Sequence, residues 1–155
     1  MTTSAPTPAA VGAAMPDLTL QHPDGTATTL TAESDGAATL VYFMRTSTCP
    51  VCHAHLRALE RLVRVGSLAD HRVVVVVPGD PADAAHVARR TGPELRVLAS
   101  ADAHAQAGLG VSMTLQHSGT FLLDDRGVVR YRRTAAVPLR SFDERELVAH
   151  AQTPR

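Results

Sequence analysis

Cys49 and Cys52 are the two cysteines of this chain, three residues apart in TSTCPVCHAH, with His53 and His55 directly behind them. Two cysteines placed at random over 155 positions would fall at this spacing about 1% of the time. Two thiols one helical turn apart can close a small disulfide ring. If the first stands where a helix begins, unpaired backbone N–H groups and the helix dipole favour its thiolate, the reactive form of sulfur. The second, a turn further in, is shielded and placed to attack a bond formed at the first. On this reading Cys49 is the nucleophile and Cys52 the resolving thiol. Arg45 and His53 are nearby cations that would strengthen the thiolate. The bland alternative is a pair of inert thiols in a helix cap.

Two other chemistries fit the same residues. Cys49 through His53 matches the Cys-x-x-Cys-His pattern of haem attachment. That chemistry needs export and a largely helical wrap, whereas the sequence has no leader-like segment and a strand runs straight into the motif. Zn²⁺ or Cu(I) also favours clustered Cys and His. On a helix, however, His53 and His55 point away from Cys52 and from each other, so one at most could join the thiols.

The elements around the motif follow from patterning. Residues 1–14, rich in Ala, Thr, Ser and Pro, are expected to be disordered, with one domain over 15–152. PDLTLQHPDGTATTL reads as an irregular β-hairpin. ATLVYFM is a near-continuous apolar run, the mark of a buried central strand. A helix follows, with Pro50 in its first turn and Cys52, Leu56, Leu59 and Val63 along one face. RVVVVVP at 72–78 is a second buried strand, 80–92 a helix, ELRVLAS a short strand and ADAHAQAGLG a short helix. GTFLLDDRGVVRYRR is a hairpin turning at Asp125-Arg126-Gly127. The last helix reads as capped by Ser141, with Glu144 completing a capping box. The order β–β–β–α–β–α–β–α–β–β–α implies an α/β fold, one mixed central sheet flanked by helices. The dithiol falls at the C-terminal end of a central strand, where such sheets carry their chemistry.

With these elements, MPDLTLQHPDG, LVYFMRTSTCPVC and GTFLLDDRGVVRYR resemble the redoxin branch of the thioredoxin fold, the AhpC/TSA peroxiredoxins and related thioredoxin-like reductases. The resemblance spans about residues 15 to 150. It implies a thiol-dependent oxidoreductase that reduces hydrogen peroxide or organic hydroperoxides through Cys49, resolved by Cys52 and recycled by a thioredoxin-like reductant. The peroxiredoxin motif Pro-x-x-x-Thr-x-x-Cys ends on Cys49 with Thr46 at its threonine and Tyr42 at its proline. Where that family carries a peroxide-polarising arginine, this chain has Ser118, followed by Gly119; the reductases place a cis-proline there. Arg45, His117 and an arginine of RYRR, Arg130 or Arg132, are the candidates for the cation. Arg130 and Arg132 also read as an exposed strand edge. Tyr42, His117, Ser118 and Gly119 form the expected substrate-binding surface. The alternatives are a thiol-disulfide reductase using the same cysteines and a Sco-like copper-binding protein adding His117.

Fifteen basic residues, all arginine, balance fifteen acids, so no global charge attracts nucleic acid or an anionic membrane. Aromatics at 3% argue against base-stacking surfaces. No apolar stretch approaches a membrane span, and a cytoplasmic location is expected. No cofactor or resident metal is expected. A monomer and a homodimer burying the face around Tyr42 and His117 both fit. The remaining histidines, His22, His71, His86, His104 and His150, read as solvated surface groups.

Overall fold

Consecutive residues of LVYFM point to opposite sides of the sheet, and every one is buried, so this strand needs a core on each face. The computed structural model describes residues 7–68 and 70–153. In it Leu40, Tyr42 and Met44 join one hydrophobic cluster, while Val41 and Phe43 join another on the far side. The valine run behaves alike: Val73, Val75 and Val77 face the first cluster, and Val74 and Val76 the second.

The strands are β1 (Thr19–Gln21), β2 (Ala27–Thr29), β3 (Ala38–Phe43), β4 (His71–Pro78), β5 (Arg96–Ser100), a small pair β6 (Val111–Ser112) and β7 (Leu115–Gln116), β8 (Ser118–Leu123) and β9 (Val129–Ala135). The helices are α1 (Leu30–Ser34), α2 (Pro50–Arg64), α3 (Pro81–Ala88), α4 (Ala103–Gln106) and α5 (Glu144–Ala151). Seven strands form one mixed sheet in the order β2-β1-β5-β4-β3-β8-β9. β3, β4 and β5 run parallel, and β8 and β9 extend the sheet antiparallel beside β3. The first core is completed by α2, α3 and α5, the second by α1, α4 and the chain before β1. The expected α/β architecture with its N-terminal hairpin is therefore present, with β3 inside the sheet and its C-terminal end feeding the dithiol.

α2 forms because Leu56, Leu59 and Leu62 line one side and are nearly fully buried. Burying each contributes about 1.5–3 kcal/mol relative to exposure. Gly66, at φ 82°, ends the helix in a left-handed conformation that a side chain would strain.

Three local expectations change. The helix expected over 80–92 stops at Ala88, although Asp80 and Asp83 form a reciprocal capping box at its start. The final helix is capped by Asp143, whose carboxylate accepts the Glu146 N–H at 3.0 Å, rather than by Ser141. Ser141 is fully buried, with its hydroxyl against Ser118 and the Pro138 carbonyl, and so is unavailable as a cap. Within the segment expected to be disordered, residues 1–6 lie outside the described residues. Residues 7–14 run against the sheet: Ala9 N–H donates to Ala107, Gly12 N–H donates to Val129, and Arg132 binds the carbonyls of Pro8 and Ala9.

Candidate active site

β3 delivers the chain into the loop 44–48, and α2 starts immediately after Cys49. Cys49 is the N-cap residue, with extended backbone (φ −65°, ψ 113°). Its Sγ accepts the Cys52 N–H at 3.2 Å, so the sulfur takes the place a serine or aspartate oxygen usually holds. Its own N–H donates to the Thr46 carbonyl at 3.4 Å. Pro50, at the first helical position, lacks only an N–H that would have had no partner in the helix.

The two thiols, both free, differ in environment. Both are buried, but Cys49 keeps 8% of its surface exposed and Cys52 none, so Cys49 is the more accessible of the two. Burial pushes the Cys52 thiol up to about 12, reinforced by its hydrogen bond with Cys49 and opposed by the Arg45 N–H, which donates to Cys52 Sγ at 3.4 Å. Cys52 is therefore protonated at neutral pH.

Two histidines fix the loop. A carbonyl can only accept, so each must present Nε2–H. His53 donates to the Ser47 carbonyl at 2.8 Å, and His104 donates to the Met44 carbonyl at 2.7 Å. His104 is 1% exposed, contrary to the surface role its sequence context suggests, and stacks edge-on against Phe43. Burial lowers its pKa to about 4, so the ring is neutral when it holds Met44.

Tyr42 is fully buried on the Cys52 side of β3. Its hydroxyl lies 2.7 Å from His55 Nδ1, and it shares one buried cluster with Cys52, with which it interacts. Burial, then the neighbouring Cys52, holds its hydroxyl well above the ordinary tyrosine range. His55 stacks on Phe142 with centroids 4.7 Å apart, and burial lowers its pKa to about 4. His104 and Phe142 were not among the sequence-derived site residues, and nothing in their local pattern marks them. His53 and His55 entered there as a nearby cation and as possible metal ligands, whereas here they meet the Ser47 carbonyl and the Tyr42 hydroxyl.

The remaining candidates divide. The Thr46 hydroxyl is 3.5 Å from that of Thr48, on the loop preceding Cys49. Arg45 gives its amide to Cys52, and its guanidinium Nε is buried with no hydrogen-bond partner. Ser118 is buried, donating to the Phe43 carbonyl at 2.9 Å, and Gly119 pairs with Phe43 across the sheet. A Cβ at Gly119 would lie 3.1 Å from Thr134 Cγ2, so glycine keeps β8 close to β9. His117 turns to Ser112 Oγ at 2.7 Å and lies over Gly110. Arg130 binds the carbonyls of His150 and Thr153, and Arg132 those of Pro8 and Ala9; both arginines are thus committed away from the dithiol. Among the described residues no three His, Cys, Asp or Glu side chains gather as a metal would require, so His117 does not join the cysteines in such a group. Beside the loop, Thr48, Pro50, His53, Arg57 and Arg90 line an open depression of about 520 Å³. Among the described residues no helix is long and apolar enough to cross a membrane.

The arrangement can do thiol redox chemistry: an N-cap sulfur at the start of α2, a fully buried thiol one turn behind it, and the Arg45 amide donating to that second sulfur. The Redoxin family model matches residues 10–149. No match was found among curated proteins. Among solved structures, the chain is similar to a peroxiredoxin-like protein from Aquifex aeolicus (TM-score 0.79, 15% identity, covering 96% of this chain and 89% of that one). It is similar to a thiol peroxidase from Chromobacterium violaceum (0.78, 19%, 97% and 90%). It is also similar to reduced Prx3 from Vibrio vulnificus in complex with hydrogen peroxide (0.78, 17%, 92% and 99%). These likenesses establish a thioredoxin-like fold of the peroxiredoxin kind. With a family match over nearly its whole length and a dithiol at the start of α2, the chain belongs to the Redoxin family and is a thiol-dependent oxidoreductase.

Proposed function

We propose that this protein is a thiol peroxidase whose substrate is hydrogen peroxide or a small organic hydroperoxide. The observation that carries the reading is the division between the sulfurs: Cys49 at the N-cap, the less deeply buried of the two, and Cys52 fully buried and held protonated. The Cys49 thiolate attacks the terminal peroxide oxygen in line. The O–O bond breaks, Cys49 becomes a sulfenic acid, and the departing hydroxide or alkoxide takes up a proton. Arg45 supplies the positive donor that the family arginine gives elsewhere, through the guanidinium whose Nε lacks a protein partner. Thr46, carried on the loop before Cys49, orients the peroxide with its hydroxyl, and Tyr42, Ser118 and Gly119 form the wall behind the sulfurs. Cys52 then attacks Cys49, water leaves, and the resulting disulfide is reduced by a thioredoxin-like dithiol. The same fold in Vibrio vulnificus Prx3 was captured with hydrogen peroxide, which supports the substrate class.

The test is the rate at which reduced protein loses thiol on mixing with hydrogen peroxide, compared with free cysteine. Oxidation orders of magnitude faster than free cysteine, ending in a Cys49–Cys52 disulfide, is the expected result. A rate equal to that of free cysteine would remove the peroxidase reading. Rapid reduction of a protein or small-molecule disulfide by the same sample would then assign the reductase reading.

A further inference from the structure

Cys52 can resolve Cys49 only after losing its proton, yet it is fully buried. Burial holds that proton until the pH is far above neutral. The groups acting on the Cys52 thiol are Cys49, the Arg45 amide and Tyr42, with no carboxylate among them. The proton therefore needs a route other than a neighbouring acid.

Tyr42 lies against Cys52, and its hydroxyl meets His55 Nδ1 at 2.7 Å. Tyr42 is fully buried, whereas His55 is half-buried and is the member of the set that reaches solvent. Stacking on Phe142 and an edge-on contact with Tyr42 at 5.7 Å fix the imidazole plane. With the Nε2–H tautomer, Nδ1 accepts the Tyr42 O–H, which leaves the phenol oxygen's lone pairs free to accept a proton from the neighbouring Cys52.

We infer that Tyr42 and His55 form a proton relay that takes the Cys52 proton to solvent during resolution. The inference rests on Cys52 being the resolving thiol, and holds for a sulfenic acid or a mixed disulfide at Cys49. In the step the Cys52 sulfur pair attacks the Cys49 sulfur and the Cys49 S–O bond breaks, so hydroxide leaves. The Cys52 proton passes to the Tyr42 oxygen, the Tyr42 proton passes to His55 Nδ1, and the Nε2 proton passes to water. The departing hydroxide takes one proton, so the products are the disulfide and water. His55 ends as the other neutral tautomer, and no buried imidazolium has to form. In this step Tyr42 and His55 act through Cys52, as positioning residues for its proton.

The experiment separates the two thiols with DTNB, which needs no peroxide. One equivalent of nitrothiobenzoate leaves when Cys49 forms the mixed disulfide, and a second leaves when Cys52 displaces it. Tyr42→Phe keeps the ring and removes the hydroxyl; His55→Phe keeps the stack on Phe142 and removes Nδ1. The expected result in His55→Phe is an unchanged first release with the second slowed about tenfold or more; in Tyr42→Phe the second release, taken relative to the first, slows alike. The rate of the second release should also become proportional to hydroxide across neutral pH, because Cys52 must then wait for solvent base. A second release as fast and with the same pH profile as wild type in His55→Phe would overturn the relay, whether or not Tyr42→Phe folds. A slower release with an unaltered pH profile would also overturn it, since that marks a packing role. Loss of peroxide reactivity in the wild type would refute the peroxidase reading alone, leaving this measurement intact.

Discussion

His104 makes the site's integrity depend on pH. Its ring is 1% exposed, donates to the Met44 carbonyl at 2.7 Å, and has its pKa lowered by burial from 6.5 to about 4. The folded state thus binds the His104 proton less readily than the unfolded chain. Where pH lies between the two values, the unfolded chain holds one more proton, so stability rises with pH. The contribution is fully present above the unfolded value of 6.5 and is lost as pH falls toward the folded value of about 4. Integrating over that interval gives a loss of about 2 kcal/mol by about pH 5 and about 3 kcal/mol by about pH 4. His104→Gln keeps a side-chain N–H for Met44 but removes the titration. Urea unfolding curves at several pH values, for both proteins, read the slope. The wild type should lose stability more steeply than His104→Gln between 6.5 and about 4, and the two should run parallel above 6.5. Parallel curves throughout the acid range would refute the reasoning, because every other titrating group is common to both proteins.

Other consequences are direct. Arg45→Gln should lower the second-order rate of Cys49 oxidation by hydrogen peroxide about 10²-fold, measured by stopped-flow with folding checked by circular dichroism; an unchanged rate would remove Arg45 from the site. Asp143→Ala removes the cap of α5 and should cost about 1 kcal/mol in urea unfolding without altering peroxide reactivity. Leu59→Ala, at a position with no exposure on the buried face of α2, should cost about 2–5 kcal/mol by the same assay.

What could be read from the sequence was whatever a local pattern encodes. The apolar run at 38–44 marked β3, the proline after Cys49 marked the start of α2, and the chain there does bring Cys49, Cys52, Arg45, Thr46, Tyr42 and Ser118 to one end of β3. Contacts between distant segments left no such mark. His104 looks like a surface residue in an alanine-rich stretch; it is buried because α4 packs beside β4 and turns the ring to the Met44 carbonyl, sixty residues away. Arg130 and Arg132 carry charge toward the sequence-predicted site, but carbonyls at the two chain ends claim them first. The cap at Ser141 failed for a related reason: the side chain that fits the motif is consumed by Ser118, and Asp143 takes its place. Met113 and Thr114 make a tight turn with φ of 51° and 67°, and neither residue carries the glycine signal that usually announces one. Thr29, whose hydroxyl accepts the Ala32 N–H, starts α1 inside what reads as the end of a hairpin.

The buried groups around the dithiol share one property that bears on how it works. Burial drives Cys52 and Tyr42 up and His55 and His104 down, so each of the four is neutral at neutral pH. These four groups supply no countercharge to Cys49, leaving the backbone amides at the start of α2 to face a charge that forms there. Their neutrality also explains how His104 serves as a hydrogen-bond fixture for Met44 and His55 as a partner for Tyr42. A neutral imidazole can hold a carbonyl on one nitrogen and keep the other as an acceptor, which a cation cannot do. Acid removes this in one interval. As pH falls toward about 4, His55 and His104 gain charge together, Nδ1 of His55 can no longer accept from Tyr42, and the Met44 anchor sits beside a buried cation. The acid limb of resolution and the acid limb of stability should therefore coincide, which a catalytic carboxylate titrating independently of the fold would not produce.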